Sequence, residues 1–136
     1  MKFDDKDKLI LELLRKNSRM TNTELSKHLG MTEGAIRSRI KRLVEAGIIR
    51  KFTIEASNQA QSYAVLMAKA KTETKKMMKE ITSKGLHSDA YEISGEYDGC
   101  IILSGNTIEE IDKKIDVIRK LPSVSETRTF ISFGRW

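Results

Sequence analysis

The chain is poor in several residue types, and each shortage excludes something. Its 136 residues include one cysteine, Cys100, one proline, Pro122, and two histidines, His28 and His87. A single cysteine excludes an internal disulfide framework and a cysteine-rich zinc site, and a reducing, cytoplasmic setting is expected. Cys100 lies in an apolar stretch and reads as inert core. The histidines are far apart in sequence, and neither lies in a metal-ligating or catalytic motif. Glu96 and Asp98 are a close carboxylate pair with no third group in support. There is no phosphate loop and no Gly-x-Gly-x-x-Gly. No catalytic residue, metal or cofactor is therefore expected, and no enzyme. No run approaches the roughly 18 apolar residues of a membrane span. The polar, acidic start lacks the apolar core of a signal peptide, so no membrane partner is expected.

What is present is positive charge, unevenly spread. The net charge is +6, with 39% hydrophobic and 32% charged residues, the balance of a globular chain. Residues 1–55 hold 13 Lys/Arg against 8 Asp/Glu, a net of +5, whereas residues 56–136 hold 12 against 11, a net of +1. A basic domain joined to a neutral one points to a nucleic-acid module with a second, different part attached.

The first part reads as three helices. Asp4 caps a helix to Lys16 with Leu9, Ile10, Leu13 and Leu14 on one stripe. Thr21 and Glu24 form a capping-box pair ahead of a second helix, which Gly30 stops. Thr32 caps a third, running to Ala46, whose inner stripe is Ile36, Ile40, Leu43 and Val44 and which Gly47 ends. Ile48 to Ile54 has the β-rich character of a strand or hairpin arm. Residues 55–61 (EASNQAQ) are polar and read as a linker. The domains expected are thus 1–54, with the linker 55–61, and 62–136.

The rest changes period. Strands are expected over Ser62–Lys71, His87–Ser94, Asp98–Ser104 and Val124–Phe133. Helices are expected over Glu73–Ser83, carrying Met77, Met78 and Ile81, and from Thr107, carrying Ile108, Ile111, Ile115 and Ile118. The order βαββαβ is the ferredoxin-like arrangement, so the whole is α+β. In that fold the helices cover one face of the sheet. Yet residues 64–68 and 100–103 are apolar on both parities. The second face is expected to be buried as well, by another copy of the chain.

Helix, sharp glycine turn and helix make a helix-turn-helix pattern, here preceded by a third packing helix and followed by a short β arm. On the third helix the side opposite the apolar stripe shows Glu33, Gly34, Arg37, Ser38 and Lys41. Residues 33–51 hold six basic and two acidic residues. A helix fits the major groove of B-DNA, where arginine bridges guanine O6 and N7, while lysine and arginine neutralise phosphates. Arg37, Ser38 and Lys41 are expected on base edges, and Arg39, Arg42, Arg50 and Lys51 on phosphates. Thr32 and Glu33 lie where helix-start amides bind phosphate. Double-stranded DNA is the expected partner. RNA is disfavoured, because RNA-binding sheets of this type expose aromatics where this chain has Cys100, Ile101, Ile102 and Leu103.

In these residues the chain resembles the Lrp/AsnC (feast/famine) family of transcriptional regulators. The resemblance runs over almost its whole length. Phe3-Asp4-Asp5-Lys6-Asp7 followed by Leu9-Ile10-Leu11 is similar to the family's opening. Arg19 to Leu25 and Gly30-Met31-Thr32 resemble its second helix and turn, and Ile36, Arg39, Ile40, Leu43 and Gly47-Ile48-Ile49 its recognition helix and wing. Gly95-Glu96-Tyr97-Asp98 matches the turn between its central strands, and Leu121-Pro122-Ser123-Val124 resembles its Leu-Pro-Gly-Val entry to the last strand. Two departures stand out. Ser123 replaces the usual glycine, and the linker lacks the common Pro-and-Leu-Gly stretch.

The resemblance implies a winged helix-turn-helix joined to a ferredoxin-like βαββαβ effector domain, dimers formed through the sheets, often assembled further into tetramers or octamers, and an amino acid effector bound between dimers near the Gly95 turn. An amino acid needs donors for its carboxylate and an acceptor for its ammonium. Amides beside Gly95, the carboxylates of Glu96 and Asp98, and Tyr97 are the candidates, with Thr127 and Thr129 of the last strand in addition. The alternative for these residues is an ordinary tight turn. For the whole chain it is a ligand-free architectural DNA-binding oligomer.

Overall fold

The computed structural model describes residues 3–56 and 61–134. The chain forms two compact units, Met1–Ser57 and Asn58–Trp136.

Unit 1 contains α1 (Asp5–Lys16), α2 (Asn22–Leu29) and α3 (Glu33–Glu45). Each starts where a side chain can take an orphan amide. Asp4 accepts from the Asp7 amide and the Asp7 carboxylate from the Asp4 amide, and Thr21 and Glu24 repeat that reciprocal cap on α2. Thr32 caps α3 by accepting from the Ala35 amide at 3.2 Å. The turn between α2 and α3 is Gly30-Met31-Thr32, and Gly30 has φ 60°, a left-handed conformation that a Cβ would strain. The three helices bury Ile10, Leu14, Leu25, Leu29, Ile36 and Leu43 together. Val44, expected inside, is 45% exposed, because it sits at the edge of the stripe, with Leu43 taking the centre.

The arm expected over Ile48–Ile54 is not a strand in the structure. Its β-rich residues find no partner strand among the described residues of unit 1, so no ladder forms and the exposed backbone is left to water. Ile54 is 76% exposed accordingly. Most of the expected linker, residues 57–60, lies outside the described residues.

Unit 2 contains β1 (Ser62–Ala70), α4 (Thr74–Ser83), β2 (His87–Glu92), β3 (Gly99–Gly105), α5 (Ile108–Arg119) and β4 (Val124–Ser132). The sheet is antiparallel throughout, in the order β2-β3-β1-β4. Ala64, Leu66, Ala68, Ile101 and Leu103 face the helices and are buried with Met77, Ile81, Ile111, Ile115 and Ile118. Ile108, expected on that side, is 60% exposed, since it sits in the first turn of α5, ahead of Ile111. Thr107 caps α5, but the Glu110 carboxylate accepts from the Asn106 amide rather than closing the box on Thr107.

The other face of the sheet carries Val65, Met67, Cys100 and Ile102, which pair as Val65 with Ile102 and Met67 with Cys100. Tyr91 and Phe130 flank them, 52% and 51% exposed. Cys100 is therefore on the open face, not in the helix-covered core. No described element of unit 2 lies over that face.

Candidate nucleic-acid interface and effector turn

The α3 surface is built on charge held inside and charge left outside. Ile36 and Leu43 face the core with no exposure, which turns Arg37, Ser38 and Lys41 outward, all exposed. Lys41 lies 3.8 Å from Glu45, one turn on, too loose a pair to fix it. Arg50 and Lys51 are exposed beyond the end of α3. Thr32 and Glu33 stand at its start. The Glu33 carboxylate accepts a 2.8 Å hydrogen bond from the Thr23 hydroxyl, which ties α2 to α3 across the turn.

Arg39 has a different surrounding. Its Nη1 lies 2.8 Å from both carboxylate oxygens of Asp4 and 2.8 Å from Asp7 Oδ1. Hydrogen bonds from Arg39 hold the Asp4 carboxyl down at a pKa of about 2, and the same two aspartates raise that of Arg39. Arg42 Nη2 sits 3.5 Å from the same Asp7 oxygen while its side chain stays half-exposed. The two arginines thus divide. Arg39 fastens α1 to α3, and Arg42 is braced by Asp7 with its guanidinium still reachable. Lys6 adds a third tie, donating to the Leu29 carbonyl at the end of α2 at 3.0 Å. The aspartates were legible as helix caps. Their pairing with arginines more than thirty residues away was not.

In unit 2 the turn Gly95–Asp98 lies between β2 and β3. Gly95 has φ 146° and nothing within 4 Å of where a Cβ would stand. Asp98 is tied down. Its amide donates to the Ala68 carbonyl, its carboxylate Oδ2 accepts from the Ala70 amide at 2.8 Å, and its carbonyl accepts from the Ile93 amide. The Ala70 amide is free for this because the β1–β4 register shifts between Lys69 and Ala70. Tyr97 is buried, with Lys69 Nζ 5.5 Å from its ring centre and Glu126 3.5 Å from its hydroxyl. Glu96 is exposed.

The structure gathers Tyr97, Lys69 and Glu126, and Lys69 and Glu126 face each other across the β1–β4 ladder 3.8 Å apart. It does not bring Thr127 and Thr129 to them. Those threonines pair with Ala68 and Leu66, whose side chains face the helices, so they lie on the opposite side of β4. Lys69 and Glu126 were not found from the sequence, because nothing in the spacing sets the β1–β4 register. Among the described residues no group of His, Cys, Asp or Glu is arranged to hold a metal ion, and no helix is long and apolar enough to cross a membrane.

A profile of winged helix-turn-helix DNA-binding domains matches residues 3–50. The HTH-type transcriptional regulator LysM of Sulfurisphaera tokodaii is 36% identical over 135 residues, covering 98% of this chain and 96% of that protein. The chain belongs to the Lrp/AsnC family of transcriptional regulators. The solved structure of Escherichia coli AsnC superposes with a TM-score of 0.69 at 24% identity, over 99% of this chain and 95% of that one. The complex of transcriptional regulator NMB0573 from Neisseria meningitidis with L-Met superposes with a TM-score of 0.74 at 19% identity, over 98% and 91%. As a member of this family the chain is a DNA-binding regulator of transcription and not an enzyme, and its α+β fold is the Lrp/AsnC fold.

Proposed function

We propose that this regulator reads specific double-stranded DNA as a dimer or larger homo-oligomer in the cytoplasm, under the control of an amino acid. The carrying observation is the α3 surface, where Arg37, Ser38 and Lys41 stand outward together opposite the fully buried Ile36 and Leu43. They reach base edges, while Arg42, Arg50 and Lys51, with the Thr32–Glu33 helix start, reach phosphates. Arg39 serves the interface by fixing α3 against α1. The uncovered sheet face supports pairing of two copies through Val65, Met67 and Ile102, and a two-fold axis sets two α3 helices in successive major grooves. Operator titrations with Arg37→Ala test the assignment: specificity falls along with affinity, and an equal loss on every sequence removes Arg37 from base reading.

For the effector, the turn Gly95–Asp98 offers amides and the Glu96 carboxylate, and the L-Met complex of a structural relative supports an amino acid as the class. Lys69 and Glu126 bring opposite charges to the same turn, matched to an amino acid's two ends. Thr127 and Thr129 join such a site only from a neighbouring copy. A thermal-shift screen with the twenty amino acids tests this. A ligand at ~100 times its Kd adds about 2.7 kcal/mol. One observation favours the second reading, a ligand-free architectural oligomer: the Asp98 carboxylate already has the Ala70 amide as its partner.

A further inference from the structure

The exposed side of α3 is not wholly basic. Two acids lie on this helix, Glu33 in its first turn and Glu45 at its end. Glu45 faces Lys41, one turn back, at 3.8 Å. Glu33 has a neutral partner instead. The Thr23 hydroxyl of α2 donates to its Oε1 at 2.8 Å, across the turn that joins the two helices.

The partial positive charge of a helix start favours an acid, which accounts for a carboxylate in this turn. It does not account for where that carboxylate is held. Ordering a long exposed side chain costs rotamer entropy. Here a hydrogen bond between two helices holds it all the same.

When a helix-turn-helix docks, its first helix crosses the DNA backbone and the first residues of its second meet base edges. α2 and α3 are that pair, and Glu33 is the first residue of α3. Its carboxylate thus stands where the backbone gives way to the groove. The amides of that helix start can serve a phosphate, but the negative side chain beside them is repelled by one. A carboxylate only accepts hydrogen bonds, and with Thr23 on Oε1 the second oxygen can take another donor. Gly34, next along, has nothing within 4 Å of where a Cβ would stand. The start of α3 is therefore slim beside Glu33, which lets its backbone come close to a base pair.

Base edges in the major groove offer two donors, the N4 amine of cytosine and the N6 amine of adenine. Adenine N6 sits beside the N7 acceptor of the same base, which repels a carboxylate. Cytosine N4 has no acceptor beside it on its own base. We propose that Glu33 is a specificity-determining residue whose carboxylate accepts from cytosine N4 at one position of each half-site. This role rests on α3 being the helix that reads DNA. It adds a contact of opposite polarity to those of Arg37 and Lys41, which donate to acceptor atoms of the bases.

The test is selection of bound duplexes from a randomised DNA library by the full chain, followed by sequencing of the enriched pool. The unmutated protein should enrich cytosine at one position of each half-site. Glu33→Ala should cut that preference by roughly fivefold or more, while the other positions keep theirs. Glu33→Gln should turn it to adenine, because a glutamine amide bridges N6 and N7. Glu33 is exposed, and a thermal melt of each variant separates lost stability from lost reading. A role confined to the helix dipole moves Tm and leaves every base preference unchanged, and that result overturns the proposal. An equal gain in affinity on all sequences with Glu33→Ala, again with preferences unchanged, also overturns it, since the carboxylate then only repels phosphate. In both cases base reading by Arg37 stands. A pool with no enriched sequence overturns base reading by α3 as a whole, and this role of Glu33 with it.

Discussion

Arg39 Nη1 lies 2.8 Å from Oδ1 of Asp7, a carboxylate with no solvent exposure at all. The same carboxylate also reaches back to the Asp4 amide, at 3.1 Å. One buried acid therefore closes the cap of α1 and holds the helix expected to read DNA. Removing one partner of such a pair leaves the other charge stranded. Asp7→Ala should destabilise unit 1 by about 3 kcal/mol, at the low end for buried pairs because the Arg39 side chain keeps some exposure. Urea unfolding measures it. Arg39→Met should lose stability without changing the salt slope of DNA binding, and a slope reduced by about 1 would instead make Arg39 a phosphate contact.

Acid should weaken the same junction. Asp4 titrates at about 2 in the folded chain against an ordinary 3.8. A lowered folded pKa means that the stabilisation is complete above the unfolded value and is lost as pH falls through the folded one. Tm should therefore decline between pH 4 and pH 2, and Asp4→Asn should flatten part of that decline. Glu24, held down by the Thr21 amide, contributes in the same direction. Circular-dichroism melts across that range are the measurement.

These two charges show where the sequence was readable and where it was not. Capping residues, glycine stops and apolar stripes act within a turn or two of chain, so Asp4, Thr21, Thr32 and Gly30 could be placed from spacing alone. The partners of Asp7 and Asp98 lie 32 and 28 residues away, and only the packed fold brings them close. Thr127 and Thr129 illustrate the same limit. Both are polar and near the turn in topology, but a strand alternates faces, and the register that decides the face is not written locally.

The helix-turn-helix corner should depend on its glycine. Gly30 has φ 60°, where a side chain costs roughly 1 kcal/mol or more. Nothing stands within 4 Å of an added Cβ, so the cost is conformational rather than a clash. Gly30→Ala should lower stability by about 1 kcal/mol, and Gly30→Asn by less, since asparagine tolerates this region. Thermal unfolding of both variants orders them.

Assembly should fail when charge is placed on the open sheet face. Val65 and Ile102 are cross-strand partners there, beside the exposed ring of Phe130. Ile102→Glu buries a carboxylate if two copies meet at this face, and the mass measured by light scattering should drop to that of one chain. An unchanged mass would place the contact between copies elsewhere.

The bonds around Asp98 reach beyond the turn. Asp98 is held by Ala68 and holds Ala70, Lys71 donates to Ser123, and Val124 donates to Leu121. Three loops at one end of the sheet are thus stitched in series. None can open without loosening the next, so the amides of Asp98, Ala70, Lys71 and Val124 should exchange their hydrogens with solvent as one cooperative unit. A molecule gripping any one loop would slow exchange at all three, and this end of the fold can register occupancy without changing its shape.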